Sequence, residues 1–162
     1  MLLCAFTATF ASAQQTEEPE RTYRGPRQFG STFRVVVVTW ANLPLKGKYA
    51  DLSEQERNRF KAQYEDMPAR DEPPYPRDGL EHFISEVATA AAATRDQGAL
   101  NYFVTVDSGG DVASVAMTKT EAKELAAAVA ILFKKTKFKP AQCGGQPCRM
   151  DFPLSLKVYI EP

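Results

Sequence analysis

Scarcity says much about this 162-residue chain: it has one histidine, three cysteines and no surplus of either charge. Acid–base or triad catalysis on the single histidine, His82, would need a nucleophile and an orienting carboxylate, and no Gly-x-Ser-x-Gly frame exists. A tetrahedral zinc site needs four ligands, and only His82 could join Cys143 and Cys148. Neither a metal nor a catalytic site is expected. Lys+Arg and Asp+Glu both number 20, so the formal net charge is zero. Nucleic-acid binding draws on a positive excess, so that class of partner is not expected. The glycine pairs Gly109-Gly110 and Gly144-Gly145 lack the Lys and Ser/Thr of a nucleotide cradle, and no cofactor is expected. The apolar run at residues 1–13 is shorter than the roughly 20 residues a membrane-crossing helix requires, so no transmembrane segment is expected.

That run has another reading. It matches the apolar core of a secretory signal, although a basic start is missing, and Ala11-Ser12-Ala13 has the small-x-small pattern of a cleavage site. Cys4 does not fit a lipoprotein acceptor, because Leu3 precedes it where a small residue is needed. Removal of residues 1–13 would leave Cys143 and Cys148, an even count in an oxidising compartment. A bridge across Gly144-Gly145-Gln146-Pro147 is therefore expected. A redox role fits less well, since redox pairs are two residues apart at a helix start.

Hydrophobic residues form 44% and charged residues 25% of the chain, enough for a packed core. Residues 14–30 are polar and aperiodic and read as a linker. Residues 33–40, with Val35, Val36, Val37 and Val38 in a row, read as a buried strand. Ser53 and Glu56 form a capping box before a charged helix that Phe60 and Tyr64 would dock. Asp78 with Glu81, and Thr118 with Glu121, predict two further helix starts. The stripes Leu80, Phe83, Ile84, Val87, Ala88, Ala91 and Leu125, Ala128, Val129, Leu132, Phe133 follow them. Between these helices lie strand 100–106, a tight turn at Asp107-Ser108-Gly109-Gly110, and strand 112–117, a β-hairpin. A last strand spans residues 150–159. Lys134, Lys135, Lys137 and Lys139 suit the negative end of the preceding helix, or alternatively a binding patch. The order helix, hairpin, helix, strand predicts an α+β layer, with two helices on one face of a small antiparallel sheet.

Five stretches in this order resemble the C-terminal domain of the TonB family of energy transducers. They are Tyr75-Pro76 before the first long helix, the hairpin with its Asp107-x-x-Gly110 turn, and the Ala-rich helix. Phe138-Lys139-Pro140-Ala141 and the Gly145-Gln146-Pro147 turn complete them. The resemblance spans about residues 73–158. It implies a domain at 71–162, with an extra strand and helix at 31–70 that match nothing in the family. It also implies a periplasmic protein-binding module, linked to TonB-type transport. Its partner would be a protein segment, as from an outer-membrane receptor, added as a strand along the last strand. The expected pairing edge is Leu154, Ser155, Leu156, Lys157, Val158 and Tyr159, because Pro153 donates no hydrogen bond. A homodimer through that edge is also open. The other reading is a structural or stress-related envelope protein that reuses the fold without a receptor.

Overall fold

The computed structural model describes residues 21–26, 33–40 and 43–162. The expected leader at 1–13 lies outside the described residues. Of the expected linker, residues 21–26 are described, and Arg21–Arg24 form a strand, β1. The remaining strands are β2 (Arg34–Trp40), β3 (Tyr75–Pro76), β4 (Gly98–Val106), β5 (Val112–Met117), β6 (Phe138–Lys139), β7 (Ala141–Cys143), β8 (Gln146–Cys148) and β9 (Met150–Glu161). Three α-helices, α1 (Glu54–Lys61), α2 (Leu80–Thr94) and α3 (Lys123–Lys135), complete the α+β fold.

Five strands form one antiparallel sheet in the order β1-β2-β9-β4-β5. Period-two alternation decides its faces. Leu100, Tyr102, Val104 and Val106 of β4 and Phe152, Leu154, Leu156 and Val158 of β9 are all buried. Beside them Val35 and Val37 of β2 join the same cluster, beneath the stripes of α2 and α3. In β2 the other face is closed too, since Val36 and Val38 are buried. A strand buried on both sides explains why its sequence is a continuous β-branched run.

The stretch 31–70 is not a separate body. Leu43, Tyr49, Leu52 and Phe60 belong to the core that holds Tyr75 and Phe152. The Phe60 ring meets those of Tyr64, Tyr75 and Phe152 edge-on, with centroids 5.7–5.9 Å apart, and Tyr75 donates its hydroxyl to the Pro44 carbonyl at 2.7 Å.

The helix starts follow the sequence once in three. Ser53 and Glu56 make the reciprocal capping box at α1. At α2 the N-cap is Gly79, not Asp78, and the Glu81 N–H donates to the Leu45 carbonyl. Glycine is required there: φ is +85°, and a Cβ would lie 2.6 Å from the Gly47 carbonyl oxygen. At α3 the Thr118–Glu121 box does not form. Thr118 still ladders to Asn101, and the helix begins at Lys123. Its first free amides are met from a distance: Asp96, just past α2, accepts from Glu124 and Leu125 N–H, both at 3.1 Å. A carboxylate at a helix start satisfies orphan donors and favours the positive end of the dipole.

Candidate protein-binding edges of the sheet

The expected pairing edge is not an edge. β9 lies between two strands, with Val37 opposite Val158 and Thr39 opposite Leu156 on one side. On its other side Leu100 faces Leu156 and Gly98 faces Val158. Every position from Leu154 to Tyr159 has a β4 or β2 partner, and from Ser155 to Val158 both. The residues named for strand addition are thus spent on the sheet's own ladders. The resemblance placed β9 at the border, and β2, which the resemblance does not cover, is what closes it. Pro153 does not end the strand either. It sits opposite Phe103, before the β2 ladder begins at Ser155. A missing donor is tolerated where a strand has one neighbour.

Among the described residues the borders are β1 and β5, and they differ in chemistry. β1 reads Arg-Thr-Tyr-Arg and runs into Gly25 and Pro26. Charge and proline at a sheet border are the usual guards against pairing with another chain. β5 reads Val-Ala-Ser-Val-Ala-Met, without a charge or a proline. Among the described residues no strand pairs with its outer side. A register shift between Thr105 and Val106 leaves Ala113 outside the ladder, beside Val112, and the ladder from Ser114 to Met117 is regular.

Two large apolar side chains flank this border. Phe103, 51% exposed, lies opposite Ala116 and Pro153 on the helix-free face. Met117, 48% exposed, lies opposite the buried Tyr102 and so on the helical face. Between them the outer strand presents small side chains, Ala113, Ser114 and Ala116, all exposed. A polar row completes the helix-free face: Ser114 donates to Thr105 (2.9 Å) and Thr105 to the Asp151 carboxylate (2.7 Å), joining β5, β4 and β9.

The residues that carry the resemblance converge at one end of the sheet. Tyr75 and Pro76 pair with Lys139 and Phe138 as the β3–β6 ribbon. Phe138 N–H donates to the Gly110 carbonyl at 2.9 Å. A Cβ on Gly110, whose φ is +87°, would fall 2.2 Å from the Phe138 carbonyl oxygen. Ala141 is buried, and Pro140 packs against Gly110. Three of the five stretches thus form one packing joint. The hairpin turn is itself stiff. Asp107 accepts from Gly109 and Asp111 N–H at 2.8 and 2.9 Å. These bonds, that of Asp111 foremost, hold its carboxyl below the usual range, with Arg149 helping and desolvation opposing.

Cys143 and Cys148 are bridged, closing the β7–β8 hairpin. That hairpin is tied to the proline-rich segment before β3. Glu72 and Gln142 exchange backbone bonds of 2.9 and 2.8 Å, and Gly144 N–H donates to Asp71. Of the four lysines, Lys137 pairs with Asp111 and Lys139 with Glu72. The Lys139 ammonium also stands 4.5 Å over the Tyr49 ring. Burial, with Glu72 adding and Arg57 opposing, pushes the Tyr49 hydroxyl up to about 12. Two of these cations therefore brace the joint.

His82 is exposed, as its helical position predicts, and sits 4.0 Å from the Glu86 carboxylate. It lines a groove of about 190 Å³ between the start of α2 and the end of α3. The one hydroxyl lining that groove, on Thr136, donates to the Leu132 carbonyl. No set of three or more metal-ligating side chains exists among the described residues, and no helix among them is long and apolar enough to cross a membrane.

The signal for β5 was present in the sequence, as a six-residue strand with neither charge nor proline. What a single sequence did not supply was the strand order, which alone tells that β5 is outermost. Comparison with family models, with curated proteins and with solved structures finds no match for this chain, so its likeness to the TonB C-terminal domain rests on its own residues.

Proposed function

We propose that this chain is a protein-binding module of the cell envelope that recruits an extended polypeptide by strand addition along β5. The observation that carries the reading is the outer side of β5, uncharged, free of proline and without a strand partner among the described residues. Strand addition needs an unpaired row of N–H and C=O groups for affinity and alternating side-chain positions for selectivity. Phe103 and Met117, one on each face of the border, supply apolar contacts for the added strand. The bridged Cys143 and Cys148 support an oxidising location such as the periplasm.

The TonB-like order of motifs supports the same class of act, transferred from β9 to the opposite side of the hairpin. An outer-membrane receptor segment and a link to TonB-type transport remain the partner and process this reading favours by resemblance. One observation favours the second reading, a structural or stress-related envelope protein without a receptor: β2 fills the place beside β9 that the resemblance gives to the partner.

Capture from envelope extract separates the two. A photo-crosslinker at Ala116, on the exposed face of β5, should trap a polypeptide, and Ser114→Lys should reduce that yield by placing a charge on the border. Capture at Lys157 but not at Ala116 would return the function to β9 and overturn this assignment. No adduct at either position would leave the structural reading.

A further inference from the structure

Helix α1 carries a charged stripe that strand pairing leaves unused. Glu54, Arg57, Asn58 and Lys61 recur at helical spacing on one side of α1, while Phe60, off that stripe, is buried. With Tyr49, and with Arg70 and Glu72 of the loop after the helix, they line an open basin of about 280 Å³. We infer that this basin is a binding site for a phosphate group, with Arg57, Lys61 and Arg70 supplying the donors.

Charge is the first ground. Lys137 and Lys139 each pair with a carboxylate, but among the described residues Arg57, Lys61 and Arg70 do not. The Lys139 pairing, at 2.9 Å, also cancels the charge of Glu72. Glu54 is then the one uncancelled carboxylate lining the basin, against three cations. That surplus of two matches the charge of about −2 that a phosphate group carries near neutral pH. A carboxylate, with its single charge, would leave one cation unmet. The chain as a whole is neutral, and this basin is not.

The second ground is preorganisation. Arg57 donates through Nε to the Leu52 carbonyl at 2.9 Å and through a terminal nitrogen to that of Ala50 at 3.4 Å. Its guanidinium also stands 5.9 Å from the centre of the Tyr49 ring. Lys61 donates to the Ala69 carbonyl. These acceptors are neutral, so they fix both side chains without cancelling their charge. A guanidinium has five N–H donors and an ammonium three, so each keeps some for a ligand. Half-buried donors that are already held lose less rotamer freedom on binding. Arg70, exposed on the loop that Lys61 anchors, and the Asn58 amide line the same basin. A tetrahedral oxyanion offers acceptor oxygens to helix and loop together, whereas a carboxylate offers two in one plane.

Titration of the full-length chain with inorganic phosphate, followed by its amide and arginine Nε resonances, tests the site. Saturable shifts are expected at Asn58, Lys61, Arg70 and the Arg57 Nε, with a Kd on the order of 1 mM. Acetate should bind at least about 5-fold more weakly. Arg57→Gln should weaken phosphate binding about 10-fold. Arg70→Gln, which breaks no internal bond, should weaken it about 3-fold. Glu54→Gln should tighten it about 3-fold by removing the opposing charge, a gain that misfolding does not produce. Vesicles of phosphatidylcholine with and without phosphatidic acid identify the source of the phosphate. Sedimentation with the acidic vesicles alone, lost in Arg70→Glu, assigns the site to a lipid headgroup. Phosphate binding without sedimentation assigns it to a soluble phosphate or phosphate ester, and the site stands in both cases. Absence of saturable shifts, shifts that fall elsewhere, or shifts equal to those of acetate overturn the inference. So does an affinity that neither Arg70→Gln nor Glu54→Gln alters. None of these outcomes bears on capture at Ala116, so this site and strand addition at β5 stand or fall separately.

Discussion

Whether β2 is an integral strand or a detachable cover decides if the side of β9 can ever open, and Val37→Ala measures it. The Val37 side chain is fully buried and stands opposite Val158. Trimming it removes two methyl-sized groups from the core. At about 0.8 kcal/mol per buried group the transfer loss is roughly 1.6 kcal/mol. The space left between β2, β9 and α2 adds about 1 kcal/mol if the site relaxes only partly. The expected cost is therefore about 2.5 kcal/mol. With a urea slope near 2 kcal/mol/M, the unfolding midpoint should fall by about 1 M. Helix α3, which lies on the same face of the sheet but at its other border, over β5, should show the same loss. Amide exchange of Val129 and Phe133 should quicken in step with that of Val158. If the α3 amides keep their wild-type protection while β2 and β9 become exchangeable, β2 is a separable element and the single-core reasoning is wrong.

Other outcomes follow from the same geometry. Asp96→Ala should cost about 1.5 kcal/mol in urea unfolding, a lost cap plus a lost dipole contact. Glu121→Ala, which removes half of the box suggested by sequence, should stay within about 0.5 kcal/mol, and the reverse order would refute the long-range cap. Gly110→Ala combines a left-handed φ with a Cβ 2.2 Å from the Phe138 carbonyl oxygen. It should cost at least about 2 kcal/mol and shift the Phe138 amide resonance, whereas a loss under about 0.5 kcal/mol would mean that the turn is free to move. Because the Asp107 carboxyl is held below its usual range, its charged form is favoured in the fold. That contribution is present above the unfolded value near 3.9 and fades as pH falls through the folded one. The stability difference between wild type and Asp107→Asn should thus shrink between about pH 6 and about pH 2, and a constant difference would contradict it.

Local structure is largely legible in the sequence, because its causes are local. The α2 and α3 stripes, the tight turn before β5 and the Ser53–Glu56 box each declare themselves within a few residues. Phe60 and Tyr64 behave as a docking pair for the same reason. Two of the three predicted helix starts fail where another segment intervenes: Leu45 takes the amide of Glu81, and Asp96 takes those of Glu124 and Leu125. A capping box is a local bond, and it yields when another segment takes one of its donors: Thr118 N–H goes to the Asn101 carbonyl and Glu81 N–H to that of Leu45. The strand order is the larger failure. Alternation in residues 154–159 correctly names the buried side chains, but hydrophobic alternation describes a strand's faces and is silent about its flanks. Only the continuous run Val35 to Val38, buried on both faces, hinted that β2 sits inside a sheet, and that hint named no neighbour.

The place of β9 has a consequence for how the molecule comes into being. The β1–β2 pair and the β4–β5 hairpin are joined in the sheet through β9 alone. Val37 and Val158 are more than a hundred residues apart. Until synthesis reaches β9, Val35 to Val38 are a sticky ribbon with a bare flank, and the hairpin has another. Such distant closure makes for slow folding and a long exposure to mispairing. A nascent chain of this kind stays unfinished, and in need of shelter, until β9 has been made.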